Sequence, residues 1–413
     1  MQTRKWIKSI KMLCVVMMVT PLLAGCWDRL EIEERAVVLG VSIDTVEGKQ
    51  AEQDEYEISH IKGTLPPPKN GMVRVAVQIA LPGRIPLGPG ESGGGGNGSV
   101  GKTVWVIDVV GYSIDDAFLN LQQQVSSKLF FGHLRVIVIS EAMARKGLEN
   151  VNDYFRRNSE VRRMAWMMIS KGQARKFMLA APPLERVPTL YLMSTLDEGI
   201  RMGKFPKDYI GIFWSNVSKK GQEGFLPYVE IKKEQNVEIK GLAYFVGDQL
   251  AGVTKPLEIA GYLAVKGINP AGYRVFIQLD GSDETIMTTA THRRSKISVQ
   301  IKDGVPHFTI SIGIELNLEE KISENIQINN PAVLQMIEKK QEEASVKFYS
   351  DVIKKSQEKG SDYFGFGEYV RAKKSRYWNK RIKTAEEWSK MYKDCTFDVK
   401  VSMKVRRIGM KGK

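Results

Sequence analysis

The amino-terminal 26 residues constrain this chain more than any other segment. A basic stretch over residues 1–11 precedes a mostly apolar stretch over residues 12–23, and the sequence LAGC then ends at Cys26. Twelve helical residues at 1.5 Å each span about 18 Å, well short of the roughly 30 Å hydrocarbon core of a bilayer. The segment is therefore typical of a signal peptide and not of a transmembrane helix.

Cys26 is the expected lipidation site of the cleaved chain. The small residues Ala24 and Gly25 let a signal peptidase approach the backbone, and the Cys26 thiol is an acceptor for diacylglycerol. We expect residues 1–25 to be removed and Cys26 to be lipidated with palmitate-type chains, which makes the mature protein a membrane lipoprotein. Two acyl chains anchor a protein durably, because each methylene group buried in the bilayer contributes about 0.8 kcal/mol to membrane binding. An uncleaved anchor or ordinary secretion is the alternative.

The charge balance favours an anionic partner surface. Lysine and arginine total 61 against 47 acidic residues; residues 1–25 hold four of the basic residues and no acid, which leaves 57 against 47. Such an excess favours phospholipid headgroups, at roughly 1 kcal/mol for each basic residue near the membrane. A generally basic soluble surface is the alternative. The sequence has no RNP-type, zinc-finger or recognition-helix pattern, so we expect no nucleic-acid partner.

Size and cysteine count indicate an ectodomain that depends on its hydrophobic core. The 413 residues, 43% of them hydrophobic, suffice for two or three domains. Cys14 lies in the segment expected to be removed and Cys26 is expected to be acylated. Cys395 is then the one remaining thiol, so we expect no internal disulfide.

The first half of the ectodomain alternates strands with helices. Ser113 and Asp116 approximate a capping box, and a helical stripe repeats every four residues at Ala117, Leu121, Val125 and Leu129. This alternation predicts a mixed, partly parallel sheet covered by helices. The other predicted elements are a helix over Glu141–Arg157 and strands over Val73–Leu81, Thr103–Val110, Leu134–Ser140 and Arg163–Ser170.

The second half has a different pattern, with short strands followed by a long amphipathic helix over Pro331–Glu358. That helix packs on the sheet or, alternatively, forms a coiled coil. We predict an α+β fold: a multidomain mixed-sheet ectodomain with helices packed on the sheets. The predicted division is a signal peptide over 1–25, an N-terminal domain over 26–215 and a C-terminal domain over 216–413, with a further split near 265 as an alternative. The predicted strands include Val237–Val246, Ile297–Ile301, His307–Leu316 and Thr396–Ile408.

Residues 96–103 (GNGSVGKT) match the phosphate-binding pattern G-x-x-x-x-G-K-S/T. That loop requires a strand before it and a helix after it, so that backbone N–H groups converge on the phosphates. Here a Gly/Pro-rich stretch over 82–102 precedes the match and a β-rich segment follows it. We therefore interpret the region as a surface loop and expect no nucleotide cofactor.

The sequence suggests no catalytic or metal site. The four histidines, His60, His133, His292 and His307, are not at metal-ligand spacing with another ligand residue, and Cys395 has no histidine near it in sequence. We predict His133 to be a structural residue at a turn. We predict no catalytic residue, no metal and no cofactor, and therefore no enzyme.

Two segments remain as candidate contact surfaces. Arg156-Arg157 and Arg162-Arg163 form a basic cluster that is either a solvated or internally paired face, or a contact with anionic lipid or an acidic partner. Residues 362–368 (DYFGFGE) alternate aromatic side chains with glycine. That segment is either a buried turn between helices or a binding edge.

Beyond its signal peptide, the chain resembles the Ger(x)C family, the C-subunit lipoproteins of GerA-type nutrient germinant receptors in spore-forming bacteria. Ordered matches run from residue 25 to about 408, and only the Gly-rich insertion at about 84–102 looks peculiar to this sequence. The matches are GCWDRLEI over 25–32, LGVSID over 39–44, DAF over 116–118, FGHLRV over 131–136, ISE over 139–141, KG over 146–147, GLAYF over 241–245, DYFGFG over 362–367, Trp378 and Trp388.

The resemblance implies a non-enzymatic ectodomain that is lipidated at Cys26 and held on the outer face of the spore inner membrane, or of the cell membrane. It also implies assembly with membrane-embedded A-type and B-type receptor subunits, so that nutrients trigger germination. The alternative is a solute-capturing lipoprotein that binds the nutrient itself. The sequence does not specify which nutrient.

Overall fold

A computed structural model of the protein describes residues 6, 11–14, 17–18, 34–46, 71–81, 103–180, 185, 187–278, 285–321 and 330–407. From residue 34 onward these residues form two β-sheets with helices packed on them. Within the described part of the chain, no helix is both long enough and apolar enough to cross a membrane.

The larger sheet is mixed, with the strand order β3-β2-β1-β5-β6-β7-β8-β9 and β4 beside the start of β1. Strands β1, β5, β6 and β7 run parallel to one another, and the outer strands pair antiparallel. The strands are β1 (Arg35–Thr45), β2 (Val73–Ala80), β3 (Val104–Gly111), β4 (Lys128–Phe130), β5 (Val136–Ser140), β6 (Trp166–Ser170), β7 (Phe225–Ile231), β8 (Val237–Val246) and β9 (Gln249–Val253).

The two central strands explain why this sheet forms. β5 has the sequence VIVIS and β6 the sequence WMMIS, and all ten of these residues are buried. Parallel strands with helices on both faces have no solvent-exposed face, so they have continuous apolar runs and not alternating ones. The helices of this part are α1 (Ile114–Gln124), α2 (Glu141–Lys146), α3 (Glu149–Arg157), α4 (Pro188–Arg201), α5 (Ile210–Val217) and α6 (Pro256–Lys266).

The helix predicted over Glu141–Arg157 is wrong in one respect, because the chain forms two helices there. Gly147 ends α2 with φ of +128°, and a Cβ on it would collide with the carboxylate of Asp248. Only glycine adopts that backbone conformation without strain. The predicted stripe from Ala117 also ends early, since α1 stops at Gln124 and Leu129 lies on β4. The predicted cap is confirmed, because Oγ of Ser113 accepts the N–H of Asp116.

The smaller sheet has the order β10-β11-β12-β13, and its last pair is parallel. Its two middle strands form a hairpin, with strands far longer than the predicted Ile297–Ile301 and His307–Leu316. The strands are β10 (Arg274–Gln278), β11 (Thr285–Lys302), β12 (Val305–Lys321) and β13 (Thr396–Arg407). The helices are α7 (Pro331–Lys359), α8 (Phe366–Lys373), α9 (Ser375–Tyr377) and α10 (Ala385–Tyr392), with a π-helical turn over Trp378–Ile382 between the last two.

Helix α7 packs on the smaller sheet and covers its outer strand, which favours sheet packing over the coiled-coil alternative. The carboxylate of Glu338 accepts the backbone N–H of Val405, and that of Glu342 accepts the N–H of Met403, both at 2.8 Å. These two N–H groups of β13 point away from β12. The helix therefore satisfies an open edge that otherwise pairs with other chains.

The two sheets share one hydrophobic core. Apolar residues of β5 and β6 belong to the same buried cluster as those of β12, β13 and α7, and α6 lies between the sheets. β7, β8 and β9 continue the larger sheet to Val253, beyond residue 215. The division into domains over 26–215 and 216–413 stays a prediction.

Candidate functional site

The one site residue predicted from sequence, Cys26, lies outside the described residues, as does the phosphate-loop match up to Lys102. The first described residue of β1, Arg35, is nine positions after Cys26. The short connecting chain therefore keeps residue 26 close to the edge of the larger sheet where β1 starts.

We call this the amino-terminal edge. It carries the basic residues Arg35, Lys128, Arg135, Arg162 and Arg163. Arg35 pairs with Lys128 across β1 and β4, and the N–H of Arg135 binds the carbonyl of Leu39. The loop of Arg162 and Arg163 precedes β6, and Glu160 in that loop accepts the N–H of Phe131 at 2.8 Å. Because β1, β4, β5 and β6 run parallel, the residues at or before their starts lie towards the same edge of the sheet.

The two arginine pairs predicted to form one cluster differ in their contacts. Arg156 lies over the Trp214 ring at 5.5 Å and donates to the Trp214 carbonyl and to Ser218, while Arg157 pairs with Asp153 at 2.8 Å. Both are thus used in packing or pairing. Arg162 and Arg163 are exposed, and within the described residues neither has a carboxylate at ion-pair distance.

Apolar side chains accompany this basic pair. Met164 follows Arg163 directly and is 71% exposed, and Ile212 is also exposed. The N–H of Gly211 binds the Arg163 carbonyl at 2.9 Å, which holds the two segments side by side. Basic and apolar side chains on one exposed surface are the combination that binds an anionic bilayer.

The segment over residues 362–368 is a buried turn, and not the binding edge that was its alternative. Asp362 is fully buried, and its carboxylate accepts the N–H groups of Gly365 and Gly367 and the indole N–H of Trp388, at 2.8 to 2.9 Å. A Cβ on Gly367 would lie 2.5 Å from the Trp388 ring. This explains why glycine alternates with large aromatic side chains here.

The aromatic side chains of that turn connect the two sheets. Tyr363 stacks on Tyr244 of β8 at 5.2 Å, and Phe366 lies 5.1 Å from Phe308 of β12. Phe364 lies between Tyr363 and Phe366 in the same stack. Aromatic pairs at these distances add about 0.5–1.5 kcal/mol each beyond burial. The turn therefore holds the two sheets in one relative position.

Acidic groups around the turn have raised pKa values. Burial raises the pKa of Asp362 to about 6, although its hydrogen bonds oppose the shift. Burial also raises the pKa of Glu223 to about 7, and the nearby carboxylates of Asp362 and Glu386 add to that effect. Burial lowers the pKa of Lys266, whose ammonium donates to the Phe364 carbonyl at 2.8 Å.

The histidines and Cys395 form no recognisable reaction centre in the described part of the chain. His133 is half-buried at a turn beside Phe130, which agrees with its predicted structural role, and Nδ1 of His307 lies 2.8 Å from Oγ1 of Thr396. Cys395 is buried and burial raises its pKa, the opposite of an activated nucleophile. His60 lies outside the described residues. Among the residues that are described, no group of three ligand side chains could hold a metal ion.

Sequence reasoning missed a polar cleft of about 520 Å³ at the opposite, carboxyl-terminal edge of the larger sheet. Asp108 pairs with both Arg74 and Arg175, at 2.8 and 2.7 Å. Asp44 is buried and accepts the N–H groups of Ala174 and Arg175. Burial raises the pKa of Asp44, although those two hydrogen bonds act to lower it. Asp108 thus binds two arginines and Asp44 binds backbone N–H groups, so these charged side chains of the cleft already have partners.

A second cavity, of about 370 Å³, was also missed. It lies between α6, α7 and the smaller sheet, and its lining is mostly apolar. Its rim includes the exposed hydrophobic residues Leu257, Val275 and Phe276. Small-molecule sites have this size and character. No motif pointed to it, because its lining is drawn from separate segments of the chain.

Two protein-family models match the chain. The one described as "Spore germination protein N-terminal domain" matches residues 28–231, and "Spore germination B3/ GerAC like, C-terminal" matches residues 240–409.

Individual proteins are similar over nearly the whole chain. Spore germination protein KC of Bacillus subtilis (strain 168) is 26% identical over 99% of this chain and 97% of its own length. Putative spore germination protein YfkR of the same strain is 26% identical over 94% of each chain. The crystal structure of the GerBC protein matches with a TM-score of 0.55 at 19% identity, over 82% of this chain and 95% of that one. That structural likeness confirms the predicted α+β, mixed-sheet fold class.

Proposed function

We propose that this chain, which belongs to the Ger(x)C family of spore germination proteins, is the lipid-anchored C-type subunit of a nutrient germinant receptor. The observation that carries the proposal is the pair of family models, which together span residues 28–231 and 240–409. The family consists of germinant-receptor subunits and is not known as an enzyme family. The resemblance inferred from the sequence is confirmed at the level of the family.

The proposed anchor is acylated Cys26, on the outer face of the spore inner membrane or of the cell membrane. Arg35 is nine positions after Cys26, and a fully extended chain of that length reaches about 30 Å. The start of β1 would thus stay within about 30 Å of the bilayer surface. The order of basic, apolar and LAGC segments supports this anchor.

We further propose that the amino-terminal edge faces the membrane. Arg162, Arg163 and Met164 lie on the same edge as Arg35, so an anchor at Cys26 brings them towards the headgroups. Each basic residue near an anionic leaflet adds roughly 1 kcal/mol, which would orient the ectodomain without a second anchor.

In this account the protein acts through contacts with A-type and B-type membrane subunits and not through chemistry. Confinement by a lipid anchor raises the effective concentration of the ectodomain for neighbouring subunits, so each interface needs little intrinsic affinity. The buried turn over residues 362–368 supports such a role, because its aromatic contacts connect the two sheets and would transmit a displacement of one sheet to the other.

Spores from which the gene is deleted test the receptor role. We expect them to release dipicolinate normally with a nutrient-independent trigger and to lose the response to at least one nutrient mixture. A normal response to every nutrient mixture would contradict the proposal.

Capture of the nutrient itself is a second candidate function, and the cavity between α6, α7 and the smaller sheet is the observation that favours it. Calorimetry of the protein with amino acids and sugars separates the two functions. Saturable heats would favour capture, and their absence would favour a contact role.

A further inference from the structure

The cavity between α6, α7 and the smaller sheet contains a buried cation. Arg293 is only 2% exposed, and its side chain lines the cavity. Its Nη1 donates to the carbonyl of Ile268 at 3.1 Å. Within the described residues, no carboxylate lies at ion-pair distance from this guanidinium. A buried charge without a counter-ion is costly, which is why buried arginines are normally paired.

A β-bulge directs Arg293 into the cavity. In β11, Ile286 and Thr288 face inward, and strict alternation would place His292 inward and Arg293 outward. The register shifts between Ala290 and His292, so His292 is exposed and Arg293 is buried. Bulges of this kind redirect side chains and are frequent next to binding sites.

The bulge is fixed by a side chain from outside the sheet. The carboxamide of Asn269 accepts the N–H of Arg293 and donates to its carbonyl, both at 2.8 Å. Arg293 pairs with Ile314 of β12 and lies beyond Thr285–Thr289, the stretch of β11 that pairs with β10, so Asn269 takes the place of a strand on that side. The orientation of Arg293 is therefore built into the fold and is not a chance rotamer.

The surroundings of Arg293 favour an anion. Lys204 lies 4.5 Å from the Tyr273 ring at this end of the cavity, and burial together with Arg274 and Arg293 lowers its pKa. The positive charges of Arg274 and Arg293 thus both act on Lys204. No aspartate or glutamate is among the described residues that line the cavity, whereas Arg293 and Lys340 are.

A second polar side chain of the cavity has an unsatisfied acceptor atom. Gln341 of α7 is 5% exposed; its Nε2 donates to Thr288 at 2.6 Å, and its Oε1 has no hydrogen-bond partner among the described residues. An unsatisfied buried acceptor costs about 1–3 kcal/mol. A ligand that brings a hydrogen-bond donor would remove that cost.

We propose that this cavity is a binding site for a small organic monocarboxylate with an apolar body, whose carboxylate binds Arg293 and whose own hydroxyl or N–H group donates to Oε1 of Gln341. The apolar body lies against Phe348, Leu316 and Met403. A zwitterionic amino acid fits less well, because no acidic side chain of the described lining receives its ammonium group. The proposal concerns this chain alone and does not depend on the receptor role.

The test uses the whole chain in phosphatidylcholine nanodiscs, with empty nanodiscs as the control for partitioning. The probes are 3-(4-hydroxyphenyl)propionate, its methyl ester, and tyrosine, which differs from the acid by one ammonium group. Ligand-observed NMR should show saturable binding of the acid with a Kd below about 1 mM. The ester should bind at least about tenfold more weakly than the acid, because it loses the charge-assisted contact with Arg293. Tyrosine should also bind at least about tenfold more weakly, because its ammonium group would be left unpaired.

Two variants address the cavity independently. Arg293→Gln should weaken binding of the acid at least about tenfold, since it removes the charge that the carboxylate binds. Ala344→Trp, at an exposed position of the lining on α7, should block the cavity without altering its charge. Lys347→Gln, which is exposed on the same helix outside the cavity, should bind like the wild type.

Gln341→Leu tests the second contact. The wild type should prefer the hydroxylated acid to 3-phenylpropionate, and this variant should lose that preference. The proposal is overturned if neither acid binds saturably, if tyrosine binds as tightly as the acid, or if Ala344→Trp binds as the wild type does.

Discussion

The indole Nε1 of Trp388 lies 2.9 Å from Oδ2 of Asp362, and both side chains are inaccessible to solvent. Two backbone N–H groups of the same turn also bind this carboxylate. Removing it leaves three buried donors unsatisfied, at about 1–3 kcal/mol each. We expect Asp362→Ala to lower the free energy of unfolding by more than about 3 kcal/mol, measured by urea denaturation followed by circular dichroism.

Trp388→Phe and Asp394→Ala calibrate that result. The first keeps an aromatic ring and loses one hydrogen bond, so it should cost less than Asp362→Ala. The second removes an exposed carboxylate and should cost less than about 0.5 kcal/mol. Equal stability of Asp362→Ala and the wild type would show that the turn does not hold the sheets together.

The pKa of Glu223, raised to about 7, predicts a pH-dependent stability. Because this value exceeds the ordinary 4.5, the folded state binds more protons than the unfolded state between those pH values. The free energy of unfolding therefore falls as pH rises from about 4.5 to about 7, and this contribution is constant above that. Glu223→Gln should remove this dependence and stabilise the protein at pH 8 by up to about 3 kcal/mol.

Urea denaturation at pH 5 and pH 8 measures this effect, with Glu358→Gln on the exposed face of α7 as the matched control. The difference between Glu223→Gln and the wild type should be larger at pH 8. A difference that is the same at both pH values would contradict the assignment.

The amino-terminal edge should bind anionic membranes. Without the anchor, the chain from residue 27 should bind phosphatidylserine vesicles, and Arg162→Gln with Arg163→Gln should weaken binding about 30-fold, at roughly 1 kcal/mol for each residue. Vesicle co-sedimentation measures this. Lys339→Gln with Lys347→Gln removes the same charge from an exposed face of α7. Equal losses in the two double variants would mean that net charge, and not this edge, governs binding.

Glu338 and Glu342 should protect the outer strand β13. Replacing both with alanine leaves the N–H groups of Val405 and Met403 unpaired, which should lower the free energy of unfolding by about 2 kcal/mol. The open strand should also associate with other chains, detected by light scattering. Both effects should be smaller with two glutamines, which keep an acceptor oxygen, and absent in Glu343→Ala, at an exposed position.

Sequence periodicity predicted the regular elements well. Val136–Ser140, Pro331–Lys359 and Thr396–Arg407 lie within two residues of their predicted bounds because each has an uninterrupted apolar pattern. The lengths of β11 and β12 were underestimated for a physical reason. The bulge before His292 changes which residues face inward, so no single alternation runs through Thr285–Lys302.

Tertiary contacts account for the features that periodicity missed. Gly147 is a helix end because Asp248, about a hundred residues later, occupies the space of a side chain. The cavity around Arg293 and Gln341 combines residues from distant segments, so no local motif indicates it. The signal that could have suggested it is an arginine that interrupts an otherwise alternating strand.

Dipicolinate release from spores carrying Cys26→Ala tests whether the nutrient response needs a lipid-anchored receptor subunit. These spores are compared with wild-type and deletion spores, with nutrient mixtures and with a nutrient-independent trigger. We predict that the variant and the deletion lose the nutrient response alone. If Cys26→Ala spores respond to nutrients as the wild type does while the deletion fails, the lipid anchor is not required; if both respond normally, the receptor role is contradicted.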